Sequence, residues 1–202
     1  MVYVECVLTC AQKGSTVRPV HVDVTDPFYS PFVLDTLADH WLFGNYDFKV
    51  AEVNNGMIII NSRHALRKGK DGLVPSHQTF RIHEDDGLVM CHLIVYKAAL
   101  MIRDETLGMS AIGKFRVALY QVKSARVLVN LVKQAFRAEF CNLDTDYVVR
   151  NLIVNHACLW DNVWTEEGCL EYLVLFEEVP EFARMLKEME HQAYAEKSTT
   201  LP

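Results

Sequence analysis

The hydrophobic period of this chain changes along its length, and that change constrains the fold more than any other feature. In residues 2–10, Val2, Val4, Cys6, Leu8 and Cys10 alternate with Tyr3, Glu5 and Thr9, the pattern of a half-buried strand. Gly14 and Pro19 interrupt it, and Val20, Val22 and Val24 suggest a second strand. Ser30 then fits a helix N-cap and Pro31 a first helical position. Leu34, Leu37, Ala38, Trp41 and Leu42 follow at helical spacing up to Gly44, a residue suited to ending a helix.

Strand patterns return at Asp47 to Val53 and Met57 to Ile60, joined by Asn54-Asn55-Gly56, a hairpin signal. Residues 61–77 read as a long loop. A second hairpin is expected from Thr79 to His83, through Glu84-Asp85-Asp86-Gly87, into a strand from Leu88 to Ile102. Residues 104–113 read as a loop, and the alternation of Phe115, Val117 and Leu119 as a strand.

Beyond Ser124 the period becomes helical: Leu128, Leu131, Val132, Ala135, Phe136 and Phe140 form one stripe. Val148, Val149, Leu152, Ile153 and His156 form another behind a capping Asp144. Tyr172 to Val179 reads as a last strand, and Pro180 opens a final helix with Phe182, Met185, Leu186 and Met189 inward. Early strands and late helices predict an α+β fold, an antiparallel sheet of about five to seven strands covered by about four helices. With 202 residues, half of them apolar, the expectation is one globular domain over residues 1–197 and a frayed tail at 198–202.

Charge is segregated as sharply as the period. The net charge of −6 divides into −4 over residues 1–62, +7 over 63–137 (thirteen basic, six acidic) and −9 over 138–202. Arg63, Arg67, Lys68 and Lys70 crowd one stretch. Lys114, Arg116, Lys123, Arg126, Lys133 and Arg137 follow with no carboxylate between the first and the last. Lys133 and Arg137 would be a like-charged i, i+4 pair, unfavourable in an isolated helix, so an acidic neighbour is implied. It can be the acidic C-terminal third of the same chain or a partner.

No apolar run is long enough to predict a transmembrane segment. The opening MVYVECVLTC carries Glu5 and no basic n-region, unlike a secretory signal, so an intracellular address, cytoplasmic or nuclear, is expected. The six cysteines are then expected to stay reduced. Cys6 and Cys10, four apart on a strand, would sit about 13 Å from each other, beyond the roughly 7 Å a disulfide allows.

Chemical motifs are incomplete. Gly108-Met109-Ser110-Ala111-Ile112-Gly113-Lys114-Phe115 resembles the Walker A pattern of P-loop nucleotidases, whose backbone cradles phosphates. The resemblance covers eight residues and departs at Phe115, which has no hydroxyl for Mg²⁺. Gly108-x-Ser110-x-x-Gly113 is one residue too long for a nucleophile elbow. Cys91-His92 and His156-Ala157-Cys158 place thiol and imidazole on different faces, so neither is a ready dyad. Glu84-Asp85-Asp86 lacks the spacing of a calcium loop. No cofactor, metal or catalytic residue is therefore expected.

These features lead to the expectation of a non-catalytic interaction or scaffold protein. It would self-associate as a homo-oligomer or dock on an acidic protein partner through the basic stretch 63–70 and helix 124–140. An anionic membrane surface or nucleic acid would also complement such a surface, and a matrix-like viral protein has this profile. The alternative is an enzyme that binds phosphate at 108–114 or uses a thiol at Cys91 or Cys158.

Overall fold

The computed structural model describes residues 31–53, 56–61, 67–69, 72–74, 80–81, 87–160 and 169–199. It is a helical protein. The described helices are α1 (Pro31–Phe43), α2 (Gly87–Ile102), α3 (Glu105–Leu119), α4 (Ala125–Ala135), α5 (Ala138–Cys141), α6 (Val148–Leu159), α7 (Cys169–Glu178) and α8 (Pro180–Thr199). Strands β1 (Phe48–Val53), β2 (Gly56–Asn61), β3 (Arg67–Gly69), β4 (Gly72–Val74) and β5 (Phe80–Arg81) are short. They form a three-stranded ladder in the order β1-β2-β5 and a separate β3-β4 pair, all antiparallel.

The expected α+β sheet of five to seven strands under four helices is therefore wrong. Among the described residues, strand pairing is confined to 48–81 and four segments read as strand or loop are helical. The strands expected at 2–10 and 20–24 lie outside the described residues, as do Ser30 and the turn Glu84-Asp85-Asp86.

Each error has a physical reason. Leu88 to Ile102 is almost uniformly apolar, and a continuous apolar run does not reveal its own period. Length decides such cases. As a strand it would stretch about 50 Å, whereas the 16 residues of α2 span about 24 Å. In α3, the alternation of Phe115, Val117 and Leu119 is fortuitous. Leu107, Ala111, Phe115 and Leu119 are buried at four-residue steps while Val117 is exposed. Gly108 and Gly113 do not break that helix, although each costs about 1 kcal/mol against alanine. In α7, buried Tyr172 and Leu175 are three apart, as on one helix face.

The elements whose pattern and caps agreed are present. α1 ends at Gly44, whose φ of +72° suits glycine and whose N–H donates to the His40 carbonyl at 2.7 Å. α4 follows Ser124, although the Ser124 side chain makes no capping hydrogen bond. Pro180 opens α8, and β1 pairs with β2 from Phe48↔Asn61 to Val53↔Gly56.

The chain clusters into two compact units, Met1–Glu84 with Ile94–Ala111 and Asp85–Leu93 with Ile112–Pro202. In the first, Phe32 stacks on Phe48 with ring centroids 5.0 Å apart, and Tyr46 lies 5.2 Å from Phe48. In the second, α4 packs on both α6 and α7, and α8 also packs on both. The four helices thus close a ring with α6 and α7 at opposite corners. Leu128 and Leu131 of α4, Ile153 of α6, Leu175 of α7 and Phe182 of α8 are fully buried. Phe182 is met edge-on by Phe136 at 5.7 Å and by Tyr172 at 6.1 Å, arrangements favoured by the aromatic quadrupole.

Candidate interaction surface

Helix α4 carries two of the expected cations, Arg126 and Lys133. Ala125, Val127, Leu128, Val129, Leu131, Val132 and Ala135 are buried, which leaves a narrow polar stripe. Arg126 and Lys133, seven residues apart, share that stripe, and both are exposed. Arg137 follows at the N-cap of α5, also exposed.

The acidic neighbour implied by the sequence is Glu178 of α7. Its Oε2 lies 2.8 Å from Lys133 Nζ, with the two side chains 47% and 42% exposed. Packing of α4 on α7 therefore neutralises one of the expected partner-binding cations within the chain. Exposure on this scale limits the pair to about 0–1 kcal/mol.

The remaining cations divide. Arg116 and Lys123 are exposed on the last turn of α3 and in the turn after it. Lys114 is half-buried, and its two-residue offset from Arg116 sends the two around α3 by about 200°, so they do not share a face. Arg67 and Lys68 lie on β3, opposite Val74 and Leu73, and belong to the first unit. Arg63 and Lys70 lie outside the described residues. In the second unit Arg116, Lys123, Arg126 and Arg137 are each exposed, as is Lys133, which pairs with Glu178.

A second ionic cluster went unread in the sequence. Arg150 of α6 is buried. Its Nη1 reaches Glu181 Oε1 at 3.3 Å, its Nη2 donates to the Asp144 carbonyl, and its Nε lies 3.6 Å from Asp144 Oδ2. The guanidinium carbon sits 3.8 Å over the Tyr147 ring, a cation–π contact. Tyr147 holds a left-handed φ of +59° at the α6 N-cap, while Asp144 Oδ1 accepts from the Val148 N–H at 3.1 Å. One carboxylate thus caps α6 and balances a buried guanidinium. A signal was available: Arg150, Ile153, Val154 and Ala157 follow the i, i+3, i+4, i+7 pattern and are all buried.

The first unit holds the nearest approach to a catalytic constellation. A cleft of 450 Å³ is lined by Trp41, Ile102, Arg103, Asp104, Glu105 and Thr106. Asp104 Oδ1 accepts from the Thr106 hydroxyl at 2.7 Å and the Leu107 N–H at 3.0 Å, and Oδ2 accepts from the Trp41 indole at 2.8 Å. Burial works to raise the Asp104 pKa. The three hydrogen bonds and the nearby His40 charge outweigh it, and the carboxyl is held below its ordinary value.

His40 Nε2 lies 3.2 Å from Thr106 Oγ1. A hydroxyl has one proton, and that of Thr106 goes to Asp104, so the imidazole is the donor in this contact. His40 does not accept the Thr106 proton as a general base. The trio is the N-terminal cap of α3, tied to α1.

Gly108 to Lys114 lie inside α3, and the Gly108 N–H donates to the Asp104 carbonyl at 2.9 Å. The stretch that resembles a phosphate loop is thus helical, with its amides engaged within the helix. Ser110 is helical too. Cys91 is fully buried on α2, and burial pushes its thiol far above the usual range. His92 is its helical neighbour, not a residue on the opposite face of a strand. Cys158 is half-buried on α6.

His156 rests between Tyr120 and Trp160, with centroids 6.5 and 5.9 Å away. Burial lowers its pKa, partly offset by a hydrogen bond to the Val122 backbone. Among the described residues no group of three metal-ligating side chains gathers, and no helix is long and apolar enough to cross a membrane. Comparison with known proteins found no matching family model, curated protein or solved structure.

Proposed function

We propose that this chain is a non-catalytic interaction protein whose second unit docks on an acidic protein surface, another copy of itself included. Arg116, Lys123, Arg126 and Arg137 are the groups that make the contact. The observation that carries the reading is their joint exposure along a segment with no carboxylate between Glu105 and Glu139. Lys133 supports it by example, since a glutamate presented on a helix already satisfies one member of this surface. Exposed cations steer association and set specificity more than they add affinity. Binding should therefore be fast, salt-sensitive and tolerant of single substitutions.

The test is titration with poly-L-glutamate at low and physiological salt, comparing the native chain with R116E/K123E/R126E/R137E. Binding should weaken about tenfold or more in the variant, and for the native chain it should fall as salt shortens the Debye length toward about 8 Å. Equal binding by both proteins sinks the reading. A marked preference for phosphatidylserine vesicles or duplex DNA over the polypeptide would reassign the surface to a membrane or to nucleic acid.

A further inference from the structure

The second unit exposes apolar surface at two opposite corners of its four-helix ring, and the two corners carry opposite charge. At the α6 corner, Val117 lies on the last turn of α3 and Tyr120 follows directly after it, its N–H donating to the Arg116 carbonyl at 3.3 Å. Tyr120 meets His156, and Leu159 follows His156 by three residues on α6. Tyr120 is 58% exposed and Leu159 68%. Arg116 lies one helical turn before Tyr120, and Lys123 follows Val122, whose backbone hydrogen-bonds His156; both cations are exposed.

At the α7 corner, Tyr172 and Leu175 are buried while Leu170, Leu173 and Val174 face outward, with Leu170 72% exposed. At 100° per residue these three and Glu177 fall within an arc of about 100°, with Glu171 at its margin. α7 is thus apolar on two opposite sides, and among the described residues its packing partners α4 and α8 meet the side that carries Tyr172 and Leu175. An apolar patch with a polar rim marks a contact site.

We infer that the acidic apolar face of α7 in one copy seats on the basic apolar patch Arg116–Val117–Tyr120–Lys123–Leu159 of a second copy. The inference rests on the interaction reading above and adds the occupant and its docking face. Charge complementarity selects the pairing, since basic against basic or acidic against acidic would repel. The corner positions of α6 and α7 make it head-to-tail. Each copy uses a different patch from the one it meets, so each added copy leaves one patch open at each end, and the assembly grows or closes into a ring.

The experiment is sedimentation velocity on the full chain at low salt, with two double variants that break one patch each. Y120E/K123E removes the basic patch, and L170Q/V174Q removes the apolar face of α7. All four positions are exposed, and unchanged thermal melting by circular dichroism checks the fold. The charge-only variants R116E/K123E and E171K/E177K replace any that melts early. The native chain should grow with concentration and shrink with salt. Each variant alone should sediment as a monomer, and an equimolar mixture should form dimers and stop there, because one intact patch of each kind remains.

A variant that still assembles like the native chain overturns the inference. So does a mixture that stays monomeric while the native chain assembles. A native chain that is monomeric throughout overturns it as well, and binding to poly-L-glutamate that disappears in R116E/K123E/R126E/R137E would then leave the broader interaction reading standing.

Discussion

Two carboxylate–cation contacts in the second unit have the same chemistry and opposite settings. Arg150 and Asp144 face each other at 3% and 1% exposure, whereas Lys133 and Glu178 meet at 42% and 47%. In water a pair of unit charges 4 Å apart gains about 1 kcal/mol, and the attraction rises several-fold as the effective dielectric falls. The desolvation cost rises too, so burial does not make a pair a large net stabiliser. It makes the loss of one member severe. The inner cluster therefore fixes the start of α6 against α8, and the outer pair remains available for exchange with an incoming charge.

The sharpest way to break this contrast is to truncate Arg150. Arg150→Ala leaves Asp144 buried without its guanidinium and removes the stack on Tyr147, so urea unfolding should show a loss of about 3–5 kcal/mol. Glu181, 37% exposed, remains solvated and is not stranded. Arg150→Met with Asp144→Asn keeps the volume and leaves an oxygen to cap Val148 while removing the buried charge. That pair should recover a substantial part of the loss. A single substitution costing less than 1 kcal/mol would place Arg150 with the exposed pair and dissolve the comparison.

Asp104 lies between the extremes. It is partly buried, and its partners are the Leu107 N–H, the Trp41 indole and the Thr106 hydroxyl in place of a full ion pair. Asp104→Ala should cost about 1 kcal/mol, within the range of about 0.5–2 kcal/mol for a lost cap. The folded-state pKa is depressed, so this stability is fully present above the unfolded value near 3.9 and is lost as pH falls through the lower folded value. Denaturation midpoints of native and Asp104→Ala chains should converge in acid. A gap that stays constant from neutrality to below pH 3 would show that the carboxylate charge contributes nothing.

How much of this was legible in the sequence depends on whether an interaction is local. Helices α1, α4 and α8 were readable because a 3.6-residue stripe coincided with a start or stop residue: Gly44, Ser124 and Pro180. Helix α2 was not, because a run apolar on every side carries no period, and only its length argues against a strand. Glycines at 108 and 113 suggested a loop that the Asp104 cap and the burial of Leu107, Ala111, Phe115 and Leu119 override. Of the candidate surface, the carboxylate-free segment from Lys114 to Arg137 was plain, as was the need for an acidic neighbour near Lys133. That Glu178 fills this need is a fact of α4 packing on α7 across 45 positions, which no local pattern reports. Arg150 was the reverse case, a charge placed within the apolar stripe of its own helix and overlooked.

The outer pair gives the smallest expected effect and the finest test. Lys133→Ala and Glu178→Ala should each change stability by less than about 1 kcal/mol, and a double-mutant cycle between them should return a coupling of about 0.2–1 kcal/mol. In 1 M salt, where the Debye length is about 3 Å, that coupling should shrink further. The Arg150 cluster should hold its cost under the same salt because solvent ions do not reach it. Removing Glu178 also uncovers Lys133 on the α4 stripe that carries Arg126, so Glu178→Ala should strengthen binding to poly-L-glutamate while barely altering the fold. If Glu178→Ala weakens that binding, or if its coupling to Lys133 rivals the loss on truncating Arg150, the pair is structural and the exposed charges of α4 do not act as one acceptor surface.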